Sequence, residues 1–269
     1  MPKATIRDGL ELSYDLRGPD QAPALVLITG LGGLKEGWFH QLAGLSEDLR
    51  VLAFDNRGMG GSTVIDAPFT LRDMAEDAVL LMDALGLEHA HLWGVSMGGK
   101  IAQEVALAWP DRVERLVLEN TTVGEAHRVE GGTGDSPLKR IADLDAEGWL
   151  REIVPLLFGP EYRENNPGAM RAFARSRERH PADPVALKRQ WEAYEGFDSW
   201  DRLPEIHHRT LVLVGSEDGL TDPRNGARLA ERLPDAVLYE VEGGGHSVHL
   251  EMYDEVNAIV RRFLQTGAV

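Results

Sequence analysis

The chain has 269 residues, no cysteine, an apolar content of 43% and a formal net charge of −16. Length and composition suit one large globular domain, or one domain carrying an insertion, around a sizeable core. The acidic balance argues against non-specific nucleic-acid binding and against attraction to anionic membranes, and the lack of cysteine excludes disulfides and thiolate metal sites.

The first fifteen residues, MPKATIRDGLELSYD, hold no basic head followed by an apolar stretch. No later run approaches the length of a membrane span, and a cytoplasmic protein is the expectation. The first buried strand is predicted at Ala24–Thr29 (ALVLIT), ending at Gly30, and the second at Val51–Phe54 (VLAF), ending at Asp55. Thr70–Leu85 has helical periodicity, with Thr70 and Asp73 spaced as a capping box and Gly86 as the stop. A strand at His91–Gly94 (HLWG) leads into Gly94–Lys100 (GVSMGGK), after which Ile101–Ala108 reads as a helix ending before Pro110. Leu116–Glu119, Thr210–Val214 and Val237–Val241 are further strands, and Pro223–Leu233 and Glu251–Leu264 further helices. Continuous apolar runs bounded by turns suit parallel strands covered on both faces. Their alternation with helices predicts an α/β protein with a mostly parallel, doubly wound sheet.

Residues 123–203 break this alternation. Glu125–Pro137 is Gly-rich and polar, hence a loop. Leu138–Asp145, Trp149–Phe158, Gly168–Arg179 and Val185–Tyr194 have helical character and are punctuated by Pro155, Pro160, Pro167, Pro181 and Pro184. With no strand among them, they read as a helical cap inserted between two strands of a core made from residues 1–122 and 204–269.

GVSMGGK fits two motifs. Read as G-x-x-x-x-G-K it is a phosphate loop short of its last residue, but that residue must ligate magnesium through a hydroxyl, and Ile101 has none. Read as G-x-S-x-G it is a nucleophile elbow, and Ser96 then needs a histidine to take its proton and a carboxylate to orient that histidine. In chain order these should be serine, acid, histidine, each just after a strand. Ser96 follows HLWG, Asp218 lies in VGSEDGLTDP after a strand, and His246 lies in GGGHSVHLE after the next. Gly94 and Gly98 would be small because side chains beside a strained serine clash, and Gly99 because the helix packs close to the sheet. The oxyanion of an attacked carbonyl needs two donors, assigned to the backbone amide of Met97 at the helix start and that of Leu31 in Thr29–Gly33 (TGLGG).

Taken together, LVLITGLGG, FDNRGMGGS (Phe54–Ser62), GVSMGG, VGSEDGLTDP and GGGHSVHLE resemble the α/β-hydrolase superfamily over essentially the whole chain. The resemblance implies that Arg57 is a structural arginine of its loop and that Asp218, three residues after Gly215, is the acid rather than Glu217 or Asp222. Asn120 stands where some relatives keep their acid. Thr29-Gly30 departs from the His-Gly found in many members. The DALGLEHAHLWGVSMGG and WPDRVERLVLENT stretches are similar to small bacterial esterases and 3-oxoadipate enol-lactonases. The expected activity is hydrolysis of a small carboxylic ester or lactone through an acyl-enzyme, with no cofactor and no metal. C–C bond hydrolysis, perhydrolysis and a non-catalytic receptor or scaffold are the alternatives. Trp38, Phe39, Phe158 and Trp191 are the pocket candidates. A lactonase of this kind takes a carboxylate substrate, which calls for a pocket cation, and Arg140, Arg151, Arg171 and Lys188 are the candidates. His249 is expected to pack or cap the last helix, and the His207-His208 pair to lie in a solvated loop. The expected partner is the small substrate alone, and oligomerisation is left open.

Overall fold

A computed structural model describes residues 2–129 and 146–269, with backbone only for Glu125, Ala146, Glu147, Trp149 and Leu150. Among the described residues one eight-stranded sheet is formed by β1 (Lys3–Arg7), β2 (Leu10–Arg17), β3 (Ala24–Ile28), β4 (Arg50–Phe54), β5 (Ala90–Val95), β6 (Val113–Glu119), β7 (Thr210–Gly215) and β8 (Ala236–Val241). The spatial order is β1-β2-β4-β3-β5-β6-β7-β8. The β1–β2 and β2–β4 pairs are antiparallel and the rest parallel.

The six parallel strands fall where the apolar runs predicted them. The N-terminal hairpin was not anticipated, because Lys3–Arg17 alternates polar and apolar residues as a half-exposed antiparallel pair does. Its turn signal is Asp8-Gly9, with Gly9 at φ 73°.

Helices cover both faces. The aliphatic side chains of Val26, Ile28, Leu92, Leu116 and Leu118 pack under α2 (Leu71–Ala84) and α3 (Met97–Ala108). Those of Leu25, Leu27, Trp93 and Val117 pack on the opposite side, with α1 (Phe39–Leu45) and the C-terminal helix. The capping box that starts α2 forms as expected: Asp73 N–H donates to Thr70 Oγ1 at 3.2 Å and Thr70 N–H to Asp73 Oδ2 at 2.7 Å. Helix α3 begins at Met97, four residues before the predicted start.

Between β6 and β7 lie α4 (Ala146–Leu157), α5 (Pro160–Asn165), α6 (Pro167–Arg179) and α7 (Pro184–Glu195). Pro155 sits inside α4 rather than ending it. The predicted Leu138–Asp145 helix, most of the preceding loop and Arg140 lie outside the described residues. The two ends of the insertion meet at its base, where Gly124 bridges Asp198 and Ser199 N–H donates to Val123 O at 2.8 Å. After β7 come α8 (Arg224–Arg232), β8, α9 (Val248–Glu251) and α10 (Tyr253–Thr266), so the single helix expected at Glu251–Leu264 is broken at Met252. No described helix is long and apolar enough to cross a membrane.

The register aligns the carboxyl ends of the central strands: Ile28 pairs with Gly94, Val95 with Glu119, and Gly215 with Val241. The loops after β3, β5, β7 and β8 therefore gather on one edge of the sheet. The sequential order of the strands reverses between β3 and β5, which is where a doubly wound sheet opens a crevice.

Candidate active site

Ser96 occupies the sharp turn between β5 and α3 with φ 55° and ψ −118°, a conformation a side chain adopts only when its surroundings enforce it. The enforcing contacts are visible. Ser96 N–H donates to Glu119 O at 2.9 Å, and Thr121 Oγ1 donates to Ser96 O at 2.6 Å. A Cβ on Gly94 would lie 2.2 Å from Gly98 O, and one on Gly98 would lie 2.1 Å from Ile28 O. Gly98 is thus required by the backbone of β3 as much as by the elbow. Ser96 keeps part of its surface exposed within an otherwise buried stretch. Lys100, the residue that invited the phosphate-loop reading, is buried with Nζ 3.4 Å from the Tyr194 ring centroid, so it faces the cap and not solvent.

Asp218 and His246 are brought together by the loops after β7 and β8. His246 Nδ1 lies 2.7 Å from Asp218 Oδ2, and both residues are buried. The other carboxylate oxygen, Oδ1, accepts the amides of Leu220 and Thr221 at 2.8 Å each, which fixes the carboxylate plane. Glu217 is exposed, and Asp222 accepts from the Arg224 amide at 3.0 Å and pairs with its guanidinium. Burial alone would push the His246 imidazole down. The Asp218 charge and hydrogen bond, with the charges of Glu119 and Glu251, outweigh burial and the net displacement is upward. Among the described residues no hydrogen bond links Ser96 Oγ to the His246 ring. Such contacts are often long before substrate binds.

The loop carrying Leu31 is held from three sides. Asn56 Nδ2 donates to Thr29 O and Thr29 Oγ1, both at 3.1 Å, and so engages the threonine found where many relatives have histidine. Gly32 N–H donates to Gln190 Oε1 at 3.0 Å, and Gln190 Nε2 donates to Arg57 O at 3.0 Å. The Arg177 guanidinium donates to Gly32 O. Among the described residues the Leu31 amide donates to no other protein group. The Met97 amide belongs to the first residue of α3, whose first-turn N–H groups have no acceptor within the helix. Arg57 forms a bidentate pair with Asp77 at 2.6 and 2.7 Å and plays the loop-bracing part its resemblance implied.

The four pocket candidates separate. Trp38 is a core residue on the α1 side, its ring 5.2 Å from Trp93 and 4.5 Å from His249, so the pocket expectation is corrected. Phe39 is corrected too: it begins α1 on the outer surface, 54% exposed, its ring tilted 36° against His40 at 3.8 Å. Sequence position just after the Leu31 loop suggested otherwise, but the Lys35–Trp38 turn carries the chain away. Phe158 is buried at the end of α4, with Phe173 5.3 Å away. Trp191 is half-buried on α7 against Tyr194.

Three residues hold the site together in ways the sequence did not suggest. Asn120, at φ 45°, donates to Gly245 O at 3.2 Å and His246 O at 2.8 Å while accepting the Gly215 amide at 2.9 Å. Glu119 is fully buried, accepts from Trp93 Nε1 at 2.8 Å and pairs with His249 Nδ1 at 2.6 Å, so His249 is one half of a second carboxylate–imidazole pair. Glu251 accepts the amides of Gly159 at 2.8 Å and Gly245 at 3.1 Å, joining the end of α4 to the His246 loop. A Cβ on Gly245 would fall 2.5 Å from Gly159 N, so the two chains touch at backbone distance. Ser247 N–H donates to Leu157 O at 2.9 Å beside this contact. Burial pushes the Glu251 carboxyl up, and the amides it accepts pull the other way. The one available signal was the pattern of polar residues inside or at the end of apolar runs, LVLEN and HSVHLE.

A model of the alpha/beta hydrolase fold matches residues 23–253. The chain belongs to the α/β-hydrolase family. It is 32% identical to “Putative carbamate hydrolase RutD” of Caulobacter vibrioides over 98% of this chain and 99% of that one. The enol-lactonase from Burkholderia xenovorans LB400 superposes with a TM-score of 0.87 at 30% identity, covering 98% of this chain and all of that one. A hydrolase from Pseudomonas aeruginosa PA01 gives 0.86 at 30% identity, covering 98% and 97%. The eight-stranded sheet and inserted helices of this hydrolase are therefore those of its family. Among the described residues no group of three or more His, Asp or Glu side chains is arranged to hold a metal ion.

Proposed function

We propose that this hydrolase cleaves a small carboxylic ester or lactone, with Ser96 as nucleophile, His246 as general base and acid, and Asp218 as the carboxylate that orients His246. The observation that carries the reading is the buried 2.7 Å contact between His246 Nδ1 and Asp218 Oδ2, beside a serine held at φ 55° on the same sheet edge. With Nδ1 committed to Asp218, Nε2 is the nitrogen left to take the Ser96 proton.

In this mechanism His246 deprotonates Ser96 as Oγ attacks the acyl carbon. The tetrahedral oxyanion is stabilised by the amides of Leu31 and Met97. His246 then protonates the leaving oxygen, an acyl-enzyme remains, and water deprotonated by His246 releases the acid. The enol-lactonase neighbour supports the lactone form of the reading. A second reading, carbamate hydrolysis through the same triad, is favoured by the RutD relatives.

The test is turnover of a panel of esters, lactones and carbamates by wild type and Ser96→Ala, alongside fluorophosphonate labelling. The expected result is labelling of Ser96 in the wild type and a loss of at least about a thousandfold in kcat on substitution. Equal activity of the two proteins would remove Ser96 from the mechanism, and wild-type protein that neither labels nor turns over any substrate would favour a scaffold.

A further inference from the structure

The cap cations expected to meet a charged substrate, Arg151, Arg171 and Lys188, are exposed on their helices. A buried carboxylate that the proposed mechanism leaves unused lies at the elbow instead. Glu119 ends β6 and is fully buried. Its Oε2 accepts from Trp93 Nε1 of β5 at 2.8 Å, and its Oε1 lies 2.6 Å from His249 Nδ1. Taking a carboxylate out of water is costly, and a well-packed apolar side chain would serve stability as well or better. What such a pair can add is a fixed geometry.

That geometry spans the two residues the chemistry must bring together. The main-chain carbonyl of Glu119 accepts the Ser96 N–H at 2.9 Å, while its carboxylate holds the ring of His249, three residues after His246. His249 lies in the single turn α9, which is closed by Leu250 N–H donating to Ser247 O at 2.8 Å and Met252 N–H to Val248 O at 2.9 Å. The far side of His249 is held as well. Gln41 Nε2 donates to its carbonyl at 2.8 Å, and Trp38 packs on its ring with centroids 4.5 Å apart. Asn120 grips the His246 main chain and Thr121 the Ser96 carbonyl, but Glu119 reaches both the serine turn and the segment that follows the histidine. Among the described residues no hydrogen bond joins Ser96 Oγ to the His246 ring, so their separation is set by what holds their loops.

We propose that Glu119 is a positioning residue, which sets the separation of Ser96 and His246 by holding the serine turn through its carbonyl and the α9 turn through its carboxylate; the inference rests on the serine-hydrolase reading above. A carboxylate suits this task because its two oxygens take donors from two elements at once, the indole N–H of β5 and the imidazole N–H of α9. The indole fixes the carboxylate on the strand that leads into Ser96, so a shift of α9 is resisted at the elbow and not absorbed by a rotating side chain. Proton transfer from Oγ to Nε2 requires the two within hydrogen-bond reach, and a misplacement of about 1 Å can cost about a hundredfold in rate. The same carboxylate is among the charges that raise His246, after Asp218, so its position and its charge need separate variants.

Glu119→Gln removes the charge but keeps an acceptor for Trp93 and a donor for the other tautomer of His249. His249→Phe breaks the link from the α9 side, and Glu119→Met/His249→Phe replaces the pair by apolar side chains of similar volume, so that one of the two reads the broken link if the other does not fold. The measurements are kcat/KM for 4-nitrophenyl butyrate and the rate of fluorophosphonate labelling, each per folded protein and well below the unfolding transition. Both should fall together by about thirtyfold or more in His249→Phe and in the double variant. Glu119→Gln should stay within about fivefold of wild type. Folded His249→Phe or double-variant protein with wild-type rates overturns the inference and leaves Glu119 a stabilising residue only. Glu119→Gln protein as slow as the double variant overturns it too, since charge and not position then governs the rate. A fall in kcat/KM without a fall in labelling also overturns it, by locating the effect in the pocket. Labelling alone decides if the wild type labels but does not accept this ester. Wild type that neither labels nor turns over the ester overturns the hydrolase reading beneath, which none of the other outcomes does.

Discussion

The side-chain amide of Asn120 donates to the main-chain carbonyl of His246 at 2.8 Å, while its oxygen accepts the amide of Gly215 at 2.9 Å. One residue at the end of β6 therefore holds the end of β7 and the loop after β8 in fixed relation. Asn120→Asp reverses the polarity at Nδ2 and sets an acceptor against two carbonyl oxygens, those of Gly245 and His246. The expected outcome is a destabilisation of about 2–4 kcal/mol in denaturant unfolding, from lost and opposed buried hydrogen bonds, together with a lower kcat. An Asn120→Asp protein of wild-type stability and kcat would show that the His246 loop is held by other contacts.

The pH profile carries a sign that the site dictates. Burial disfavours the charged imidazole of His246, and the Asp218 charge and hydrogen bond over-compensate, so its folded value lies above 6.5. In the proposed mechanism the neutral ring is the base, so the acid limb of kcat/KM should fall above pH 6.5. Asp218→Asn leaves burial unopposed by its main partner and should move the limb to lower pH, with a loss in kcat of about a thousandfold or more. The stability contributed by the protonated His246–Asp218 pair is complete below the unfolded value and declines as pH rises through the raised folded value. A limb that stays in place in Asp218→Asn would mean that another group sets it.

Glu251 provides a different titration. Its folded carboxyl is raised from 4.5 by burial, so stability present at lower pH declines as pH rises through that raised value. Glu251→Gln should flatten this dependence above pH 4.5, which chemical denaturation at a series of pH values measures. Glu251→Ala strips the acceptor from the amides of Gly159 and Gly245 and should cost about 2–4 kcal/mol. If the alanine protein is as stable as wild type, the α4 end is held to the His246 loop by the Ser247–Leu157 bond and packing alone.

The elbow glycines should rank by what they meet. Gly98→Ala drives a Cβ to 2.1 Å from the Ile28 carbonyl, a strand backbone that cannot retreat, whereas Gly99→Ala meets the Thr121 side chain at 2.7 Å. Gly98→Ala should be the more damaging to stability, by about 3 kcal/mol or more relative to wild type. The opposite order would show that the α3 start, rather than β3, yields to the added methyl.

The parallel strands and α2 were legible because continuous apolar runs and a capping box are local signals. The hairpin at Lys3–Arg17 was missed, because its alternating, half-exposed residues lack the continuous apolar run that marks the other strands. The order serine, acid, histidine along the chain pointed to Ser96, Asp218 and His246, and the structure places His246 Nδ1 2.7 Å from Asp218 Oδ2 and Ser96 in a turn at φ 55°. Asn120, Glu119 and Glu251 act through partners 92 to 130 positions away, and the polar residues in LVLEN and HSVHLE do not by themselves name those partners. Trp38 and Phe39 were misplaced because nearness in sequence to the Leu31 loop says nothing of the turn at Lys35–Trp38 that follows it.

Gln190 belongs to the inserted helices, yet it holds the amide of Gly32 and the carbonyl of Arg57, both in the core. The inserted helices of this chain cannot then be traded as a self-contained cassette. A chimaera that brought a foreign insertion onto this sheet would also release the Gly32 turn near Ser96. Unless the donor helix carried an amide at the matching position, such a graft should lose rate before it gained a new substrate.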